Sequence, residues 1–183
     1  MDDAVWRMWD RVVRHGHRGA VMQCQPPVRE WLAARAREIG PHGFLVEVGT
    51  WQGDTARILA AAGAIVLCVD RFDGRAMGTP GVTFPTWVAN VAGAGRIVGV
   101  VGDSWDVPAL FLAQGFADLV FIDADHSHAA VIRDIKAWAP VVKAGGWLCG
   151  DDWNEESVRA AVLDMKIKPE VIGGYGWATQ VQR

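Results

Sequence analysis

Acidic residues stand at the ends of several apolar, strand-like segments of this sequence. The polar residues at these ends are Glu47, Asp70, Asp103-Ser104, Asp123 and Asp151-Asp152. In parallel α/β sheets the carboxyl ends of the strands meet at one edge, and ligands bind outside that edge. We therefore expect these side chains to converge on one binding cleft.

The turn after the first segment combines an acid with two glycines, Gly49 and Gly53. Glycines let the backbone pass close to a ligand, and Glu47 replaces the first glycine of the dinucleotide fingerprint, which suits a ligand with an ammonium group. Asp70 follows Glu47 by 23 residues, where an acid binds ribose hydroxyls in nucleotide-binding sheets. The pattern favours a nucleoside ligand, and the alternative is a structural turn beside a surface aspartate.

Asp123, Asp151 and Asp152 have no lysine or arginine beside them in the sequence. Carboxylates that converge without a counter-charge raise one another's pKa. A hard divalent cation removes this repulsion, and ligands that are all oxygen suit Mg²⁺ or Ca²⁺ rather than zinc. We expect a metal site at these residues; the alternative is that Asp151 and Asp152 only cap the following helix.

His126 follows Asp123 by three residues and is a candidate general base or substrate hydrogen-bonding group. The alternative is a surface histidine at the entry to a helix. His128 lies two residues further on, so the two imidazoles cannot share one helical face. This spacing argues against a metal site built from two histidines.

Strand-like and helix-like apolar periods alternate along the chain, which is typical of an α/β, Rossmann-like doubly wound sheet. Core strands are predicted at 44–48, 65–70, 97–101, 119–123 and 147–150, with an antiparallel C-terminal hairpin from Val171-Ile172 and residues 177–181. Helices are predicted at 26–39, 54–62, 87–91, 108–114, Val131 to Val142 and after an Asn154 N-cap, and residues 71–82 as a loop. The sheet is expected to have seven strands, mostly parallel.

Residues 1–183 are interpreted as a single domain, with 1–25 as an N-terminal helical extension and 26–183 as the Rossmann-like core. Val5, Trp9 and Val12 predict an extra amphipathic helix within this extension. Packing on the sheet, covering the active site and forming a homodimer contact are all open roles for it.

The composition disfavours several classes of protein. Eighteen basic against 21 acidic residues give a net charge of −3, which disfavours a nucleic acid or an anionic membrane as the main partner. Three cysteines without a C-x-x-C pair favour a reducing, cytoplasmic location. No apolar run is long enough to span a membrane, and the acidic start of the chain is unlike a signal peptide.

Five segments together resemble the class I S-adenosylmethionine methyltransferases, in the order of that family. These segments are residues 47–55, 69–72, 101–104, 121–126 and 145–152. The resemblance implies Glu47, Gly49 and Gly53 around the methionine part of S-adenosylmethionine, Thr55 near its carboxylate, Asp70 at the ribose, Phe72, Asp103, Ser104 and Trp105 around the adenine, and Thr50, Arg71 and Asp123 as further contacts. We expect the chain to bind that cofactor.

The acidic residues narrow the resemblance to small metal-dependent O-methyltransferases of the catechol and macrocin types. The catechol type has Asp-Asn where this chain has Asp151-Asp152, so the sugar-modifying macrocin type is more similar. The resemblance implies methyl transfer to a hydroxyl group of a small molecule, with Mg²⁺ at Asp123, Asp151 and Asp152 and a base at Asp123 or His126. His126 stands where many relatives have lysine, and the long insertions of larger members are missing.

Other functions remain open from the sequence alone. A nucleic-acid or protein N-methyltransferase is disfavoured because Asp123-Ala124-Asp125-His126 replaces the Asn/Asp-Pro-Pro-aromatic signature. A non-catalytic, methyltransferase-like nucleoside-binding subunit is compatible with the short chain. An NAD-dependent oxidoreductase is disfavoured by the glycine spacing.

Overall fold

The computed structural model describes residues 24–76, 79–111 and 114–182. The helix predicted from Val5, Trp9 and Val12 lies outside the described residues, as does nearly all of the 1–25 extension. Within the described ranges, no helix is both long and apolar enough to cross a membrane.

Helices and strands alternate along most of the described chain. The helices are α1 (Pro26–Ile39), α2 (Asp54–Ala60), α3 (Phe84–Val91), α4 (Val107–Phe111), α5 (His128–Trp138) and α6 (Glu156–Asp164). The strands are β1 (Phe44–Val48), β2 (Ile65–Asp70), β3 (Asp73–Ala76), β4 (Thr79–Thr83), β5 (Arg96–Val101), β6 (Ala117–Ile122), β7 (Val142–Gly150), β8 (Glu170–Ile172) and β9 (Gly176–Gln180).

Seven of these strands form one sheet in the order β5-β2-β1-β6-β7-β9-β8. Strands β5, β2, β1, β6 and β7 are parallel to one another, whereas β9 is antiparallel to both β7 and β8. The strand order reverses at β1, which lies between β2 and β6. This topology confirms the predicted Rossmann-like, mostly parallel sheet with an antiparallel C-terminal hairpin.

The strand register brings the carboxyl ends of the central strands level with one another. Val48 pairs with Val69 of β2 and with Ile122 of β6, and Ile122 pairs with Gly150 of β7. The residues that follow these four are Gly49, Asp70, Asp123 and Asp151. Parallel pairing alone therefore delivers the predicted site residues to one edge of the sheet.

Apolar side chains on alternate faces of β1 build a core on each side of the sheet. Leu45 packs in the layer that contains α1, α2 and α3, whereas Val46 and Val48 pack in the layer with α5 and α6. All three side chains are fully buried. Burial of a side chain of this kind contributes about 1.5–3 kcal/mol relative to leaving it in water.

The loop predicted over residues 71–82 is wrong, because β3 and β4 pair there as a separate antiparallel hairpin. Asp73 pairs with Thr83, and the register shifts before the next pair. The segment lacks regular alternation of apolar and polar residues, so its sequence pattern did not indicate strands.

The helix predicted to continue to Val142 ends earlier, at Trp138. Pro140 has no backbone N–H with which to extend an α-helix, and residues Ala139–Val141 form a 3₁₀ turn instead. Val142 begins β7, which continues through Gly145 to Gly150 after a register shift. Val142 follows Trp138 by four residues, which matches a helical period, although Val142 lies in a strand.

The predicted N-cap at Asn154 is also wrong, because α6 begins at Glu156 and Glu155 occupies the capping position. Glu155 makes no side-chain capping bond. Its carboxylate lies beside His126 instead, with Oε1 3.4 Å from the imidazole Nδ1.

Candidate active site

A cleft of about 740 Å³ opens at the carboxyl edge of the sheet. It brings together most of the predicted site residues: Glu47, Gly49, Thr50, Thr55, Asp70, Arg71, Asp103, Ser104, Trp105, Asp123, His126, Asp151 and Asp152. Five sequence segments that are distant along the chain therefore face one space. The cleft is large enough for a nucleoside with an attached amino acid and for part of a second ligand.

The first turn passes directly against the chain that leaves β6. Gly49 has a φ of +83°, and a Cβ there would lie 2.1 Å from the Asp123 carbonyl oxygen. A side chain at this position would therefore clash with backbone. The Asp123 amide donates a hydrogen bond of 2.8 Å to the Val48 carbonyl, which fixes the two segments together. Glycine here sets the depth of the cleft.

Asp70 holds the first turn through three backbone hydrogen bonds. Its Oδ2 accepts from the amides of Thr50 and Trp51 at 3.1 and 3.0 Å, and its Oδ1 accepts from the amide of Phe72 at 3.0 Å. Trp51 has a φ of +42°, which costs a tryptophan backbone energy unless neighbouring contacts fix it. The residue predicted to bind ribose therefore also fixes the shape of the turn.

Glu47 is a fully buried member of the cleft lining, with 1% of its surface exposed. Burial raises its pKa to about 8, against hydrogen bonds from Thr50 and Cys68 that lower it. The Cys68 Sγ lies 3.5 Å from Glu47 Oε2. A buried acid of this kind is neutral at pH 7 until a cationic group arrives beside it, which is the environment that an ammonium ligand would meet.

His126 forms a cluster with the carboxylates of Asp123, Asp152 and Glu155, and all four side chains line the cleft. The His126 Nε2 lies 3.1 Å from Asp152 Oδ2 and 3.8 Å from Asp123 Oδ1, and the His126 Nδ1 faces Glu155. One ligand atom from each of Asp123, His126 and Asp152 lies within 4.8 Å of the others. These three side chains could hold a metal ion.

The pKa values of Asp123, Asp151 and Asp152 are raised above their ordinary range. Burial raises the pKa of Asp123 well above its usual value, and the negative charges of Asp151 and Asp152 raise it further. Burial, followed by the charge of Asp152, raises the pKa of Asp151 to about 6. Burial also raises the pKa of Asp152, while His126 opposes this shift. Neighbouring carboxylates thus contribute to the raised pKa values of Asp123 and Asp151, although burial is the larger cause.

Asp151 differs from its predicted place in the metal site. The side chain is buried and forms a hydrogen bond with the Cys24 thiol, and it is outside the group of ligand atoms formed by Asp123, His126 and Asp152. The three side chains that lie close together therefore include the His126 imidazole in place of the predicted Asp151 carboxylate.

Two residues predicted to contact the cofactor do not line the cleft. Phe72 is buried and packs against Phe84 and Trp87, with ring centroids 5.1 and 5.2 Å away. Its backbone φ of +50° turns the ring toward this core. Gly53 permits close packing instead, because a Cβ there would lie 2.5 Å from Val91 Cγ1.

Three residues near the site were missed from the sequence: Cys24, Asp134 and Glu155. Cys24 and Glu155 line the cleft, and nothing in their sequence context distinguishes them. Asp134 is buried in α5 and hydrogen-bonded to Ser104. It lies three residues after Val131 and four before Trp138, on the apolar stripe of the helix, and a carboxylate on such a stripe is the signal that could have found it.

Comparison with known proteins identifies the family to which this chain is similar. A family model described as "Methyltransferase domain" matches residues 46–153. No curated protein matches the sequence.

Similar solved structures share the fold at low sequence identity. A protein from Corynebacterium glutamicum and a methyltransferase from Geobacter sulfurreducens are each 15% identical, with a TM-score of 0.65, and each alignment covers 100% of this chain and 91% of that chain. The O-methyltransferase NovP is 18% identical with a TM-score of 0.63, over 86% of this chain and 81% of that chain.

Proposed function

The chain belongs to the methyltransferase-domain family, and on this premise we propose that it transfers the methyl group of S-adenosylmethionine to a hydroxyl group of a small molecule, assisted by a divalent cation. The observation that supports this best is that one cleft combines two sets of side chains. Glu47 and Asp70 suit an ammonium group and a ribose, whereas Asp123, His126 and Asp152 offer proton acceptors.

S-adenosylmethionine supplies an electrophilic methyl group when it is bound. Glu47, once ionised, would bind the ammonium group, and Asp70 would accept hydrogen bonds from the ribose hydroxyls while it keeps the first turn in place. Asp103, Ser104 and Trp105 would surround the adenine. Together these residues would hold the methyl group toward the acceptor hydroxyl, and such alignment would account for much of the catalysis.

The acceptor hydroxyl must lose a proton as it attacks the methyl group. Asp123 and His126 line the cleft and are the candidate bases. An imidazolium formed at His126 would face the carboxylates of Asp123, Asp152 and Glu155, which stabilise its charge. The two residues therefore fit the role of accepting the proton.

A divalent cation fits one set of side chains in the cleft. Asp123, His126 and Asp152 would hold it, and Asp151 is the carboxylate directly before Asp152 in the sequence. The cation would supply a Lewis acid that lowers the pKa of a bound hydroxyl.

The charges along the cleft support a small, uncharged or cationic acceptor over a nucleic acid. Among the described residues that line the cleft, Arg71 provides the guanidinium, and it pairs with Asp73 at 3.2 Å. Carboxylates outnumber it in the lining, and they would repel a phosphate backbone.

The direct test is binding followed by turnover. Calorimetry should detect S-adenosylhomocysteine binding and no comparable NAD binding. Incubation with S-adenosylmethionine carrying a labelled methyl group, Mg²⁺ and a panel of polyhydroxylated small molecules should then give labelled ethers. Preference for NAD would contradict the proposal, and so would labelled amines in place of ethers.

A proton should leave Glu47 when the cofactor product binds. Because the pKa of Glu47 is about 8, S-adenosylhomocysteine should release close to one proton at pH 7, and its affinity should rise up to about tenfold per pH unit between pH 6 and 8. Calorimetry in buffers of different ionisation enthalpy measures both effects. Glu47→Gln should remove them, whereas Asp164→Asn, an exposed change on α6, should keep them. Binding without proton release in the unmodified protein would contradict this assignment.

A further inference from the structure

Strand β5 forms one edge of the seven-stranded sheet, where it pairs with β2 and has no strand of the described chain on its other side. Its pairing with β2 is regular from Arg96 to Val101, without a shift of register. Natural proteins usually protect such an edge with lysine, proline or a bulge, because an unpaired edge can bind a strand of another molecule. Residues 96–101 contain no lysine, proline or acid. This edge therefore lacks the usual protection.

The free side of β5 presents a defined set of backbone hydrogen-bonding groups. The Gly102 amide donates to the Asp70 carbonyl of β2 at 3.0 Å, so the Gly102 amide faces β2. In a regular parallel pair every second residue bonds to the same neighbouring strand. The even-numbered residues of β5 therefore face β2 as well. The backbone N–H and C=O groups that point away from β2 belong to Ile97, Gly99 and Val101.

The side chains along this edge are apolar and exposed. Val98 and Val101 are 50% and 58% exposed, and Val88 on the neighbouring helix α3 is 45% exposed. The strand has one charged side chain, Arg96, and its Nε donates to the Gly63 carbonyl of the same chain at 3.0 Å. The centre of the edge thus carries no charge that would repel a second apolar strand.

We propose that β5 pairs antiparallel with β5 of a second copy of this chain, about a two-fold axis at Gly99, so that the two sheets become continuous. In this register Gly99 lies opposite Gly99 of the second copy, and Ile97 lies opposite Val101. Every outward N–H then meets an outward C=O, because two residues in a hydrogen-bonded antiparallel pair exchange both bonds. The contact is self-complementary, as a two-fold interface requires. It does not depend on the proposed reaction.

The two ends of the strand favour a second copy as the partner. The antiparallel register places Arg96 of each copy opposite Gly102 of the other copy, which is followed by Asp103. Opposite charges therefore come together at both ends of the pair, and apolar residues face one another between them. A parallel arrangement would instead bring the two arginines together and the two aspartates together.

The oligomeric state of the full chain tests the pairing directly. Two six-residue strands make a small interface, so we expect a dissociation constant in the micromolar range. Sedimentation velocity between about 1 and 200 µM should show a monomer that converts to a dimer as the concentration rises. A monomer over the whole range overturns the proposal.

Charged substitutions test whether the dimer uses β5. Val98→Lys and Val101→Lys each add a charge to the exposed edge, and the two-fold axis adds it twice, so the dissociation constant of the dimer should rise at least about tenfold. Leu163→Lys makes the same change at an apolar residue of α6 that is 52% exposed, and it should leave the constant unchanged. A dimer that persists in the folded β5 variants overturns the proposal.

Cross-linking tests the register without a charged variant. Val98→Cys adds an exposed thiol, whereas the three native cysteines are buried. In the proposed register the two added residues lie diagonally across the strand pair, about 7–8 Å apart, within reach of a short bis-maleimide. The reagent should link Val98→Cys into a covalent dimer and leave Leu163→Cys monomeric. Absence of the linked dimer, or an equal yield from both variants, overturns the proposed register.

Discussion

Asp70→Ala should weaken S-adenosylhomocysteine binding by well over tenfold, a loss of more than about 1.4 kcal/mol. The Asp70 carboxylate accepts from the amides of Thr50, Trp51 and Phe72, and it also faces the cleft. Its removal deletes the proposed ribose acceptor and leaves three backbone donors without their partner. Each donor that stays unsatisfied in a partly buried turn costs about 1–3 kcal/mol. Affinity and stability should therefore fall together.

Asp70→Asn separates the two roles of this residue. An asparagine keeps one carbonyl oxygen for the turn amides but cannot accept through both atoms, so we expect the thermal midpoint to recover more than the ligand affinity does. Asp106→Asn removes one exposed carboxylate outside the cleft lining, and it should leave affinity and stability unchanged. Calorimetry and thermal unfolding measure the two quantities. Unchanged affinity in folded Asp70→Ala would remove Asp70 from the ligand site.

Features that depend on strand ends were predictable from the sequence, because their geometry follows from parallel pairing. Glu47, Asp70 and Asp123 end or follow apolar runs, and parallel strands in register deliver such positions to one edge whatever the loops do. Gly49 was recognisable for a related reason. A glycine directly after a strand indicates close approach, and the Asp123 carbonyl lies where its Cβ would be.

Features that depend on side-chain direction could not be predicted in this way. Phe72 follows Asp70 by two residues in the sequence, yet its backbone has a positive φ and its ring packs in the core beside Trp87. Asp151 follows the same strand end as Asp152, but its carboxylate bonds to Cys24 from a different segment. Such choices depend on tertiary neighbours that no local pattern records, so sequence spacing could predict the cluster but not which of its members face one another.

Removal of divalent cations should abolish methyl transfer by the proposed enzyme while cofactor binding stays nearly intact. EDTA should lower turnover more than about 100-fold, because a metal-bound hydroxyl ionises several pKa units more easily than a free one. The affinity for S-adenosylhomocysteine should change less than about threefold, since Glu47 and Asp70 are not among the side chains that could hold the ion. Asp152→Ala should show the same separation, and Asp164→Asn should show neither effect. Full turnover in EDTA would leave Asp123 or His126 as an unassisted base.

Metal rescue after EDTA treatment distinguishes the two possible ligand sets. The set predicted from the sequence, Asp123, Asp151 and Asp152, offers only oxygen and should respond to Mg²⁺, with Asp151→Ala as damaging as Asp152→Ala. The set that the geometry brings together exchanges Asp151 for His126. An imidazole ligand favours Mn²⁺, Co²⁺ or Zn²⁺ over Mg²⁺, so His126→Ala should then weaken binding of those ions more than binding of Mg²⁺. Because direct calorimetry of each ion does not depend on turnover, it separates loss of a ligand at His126 from loss of a base.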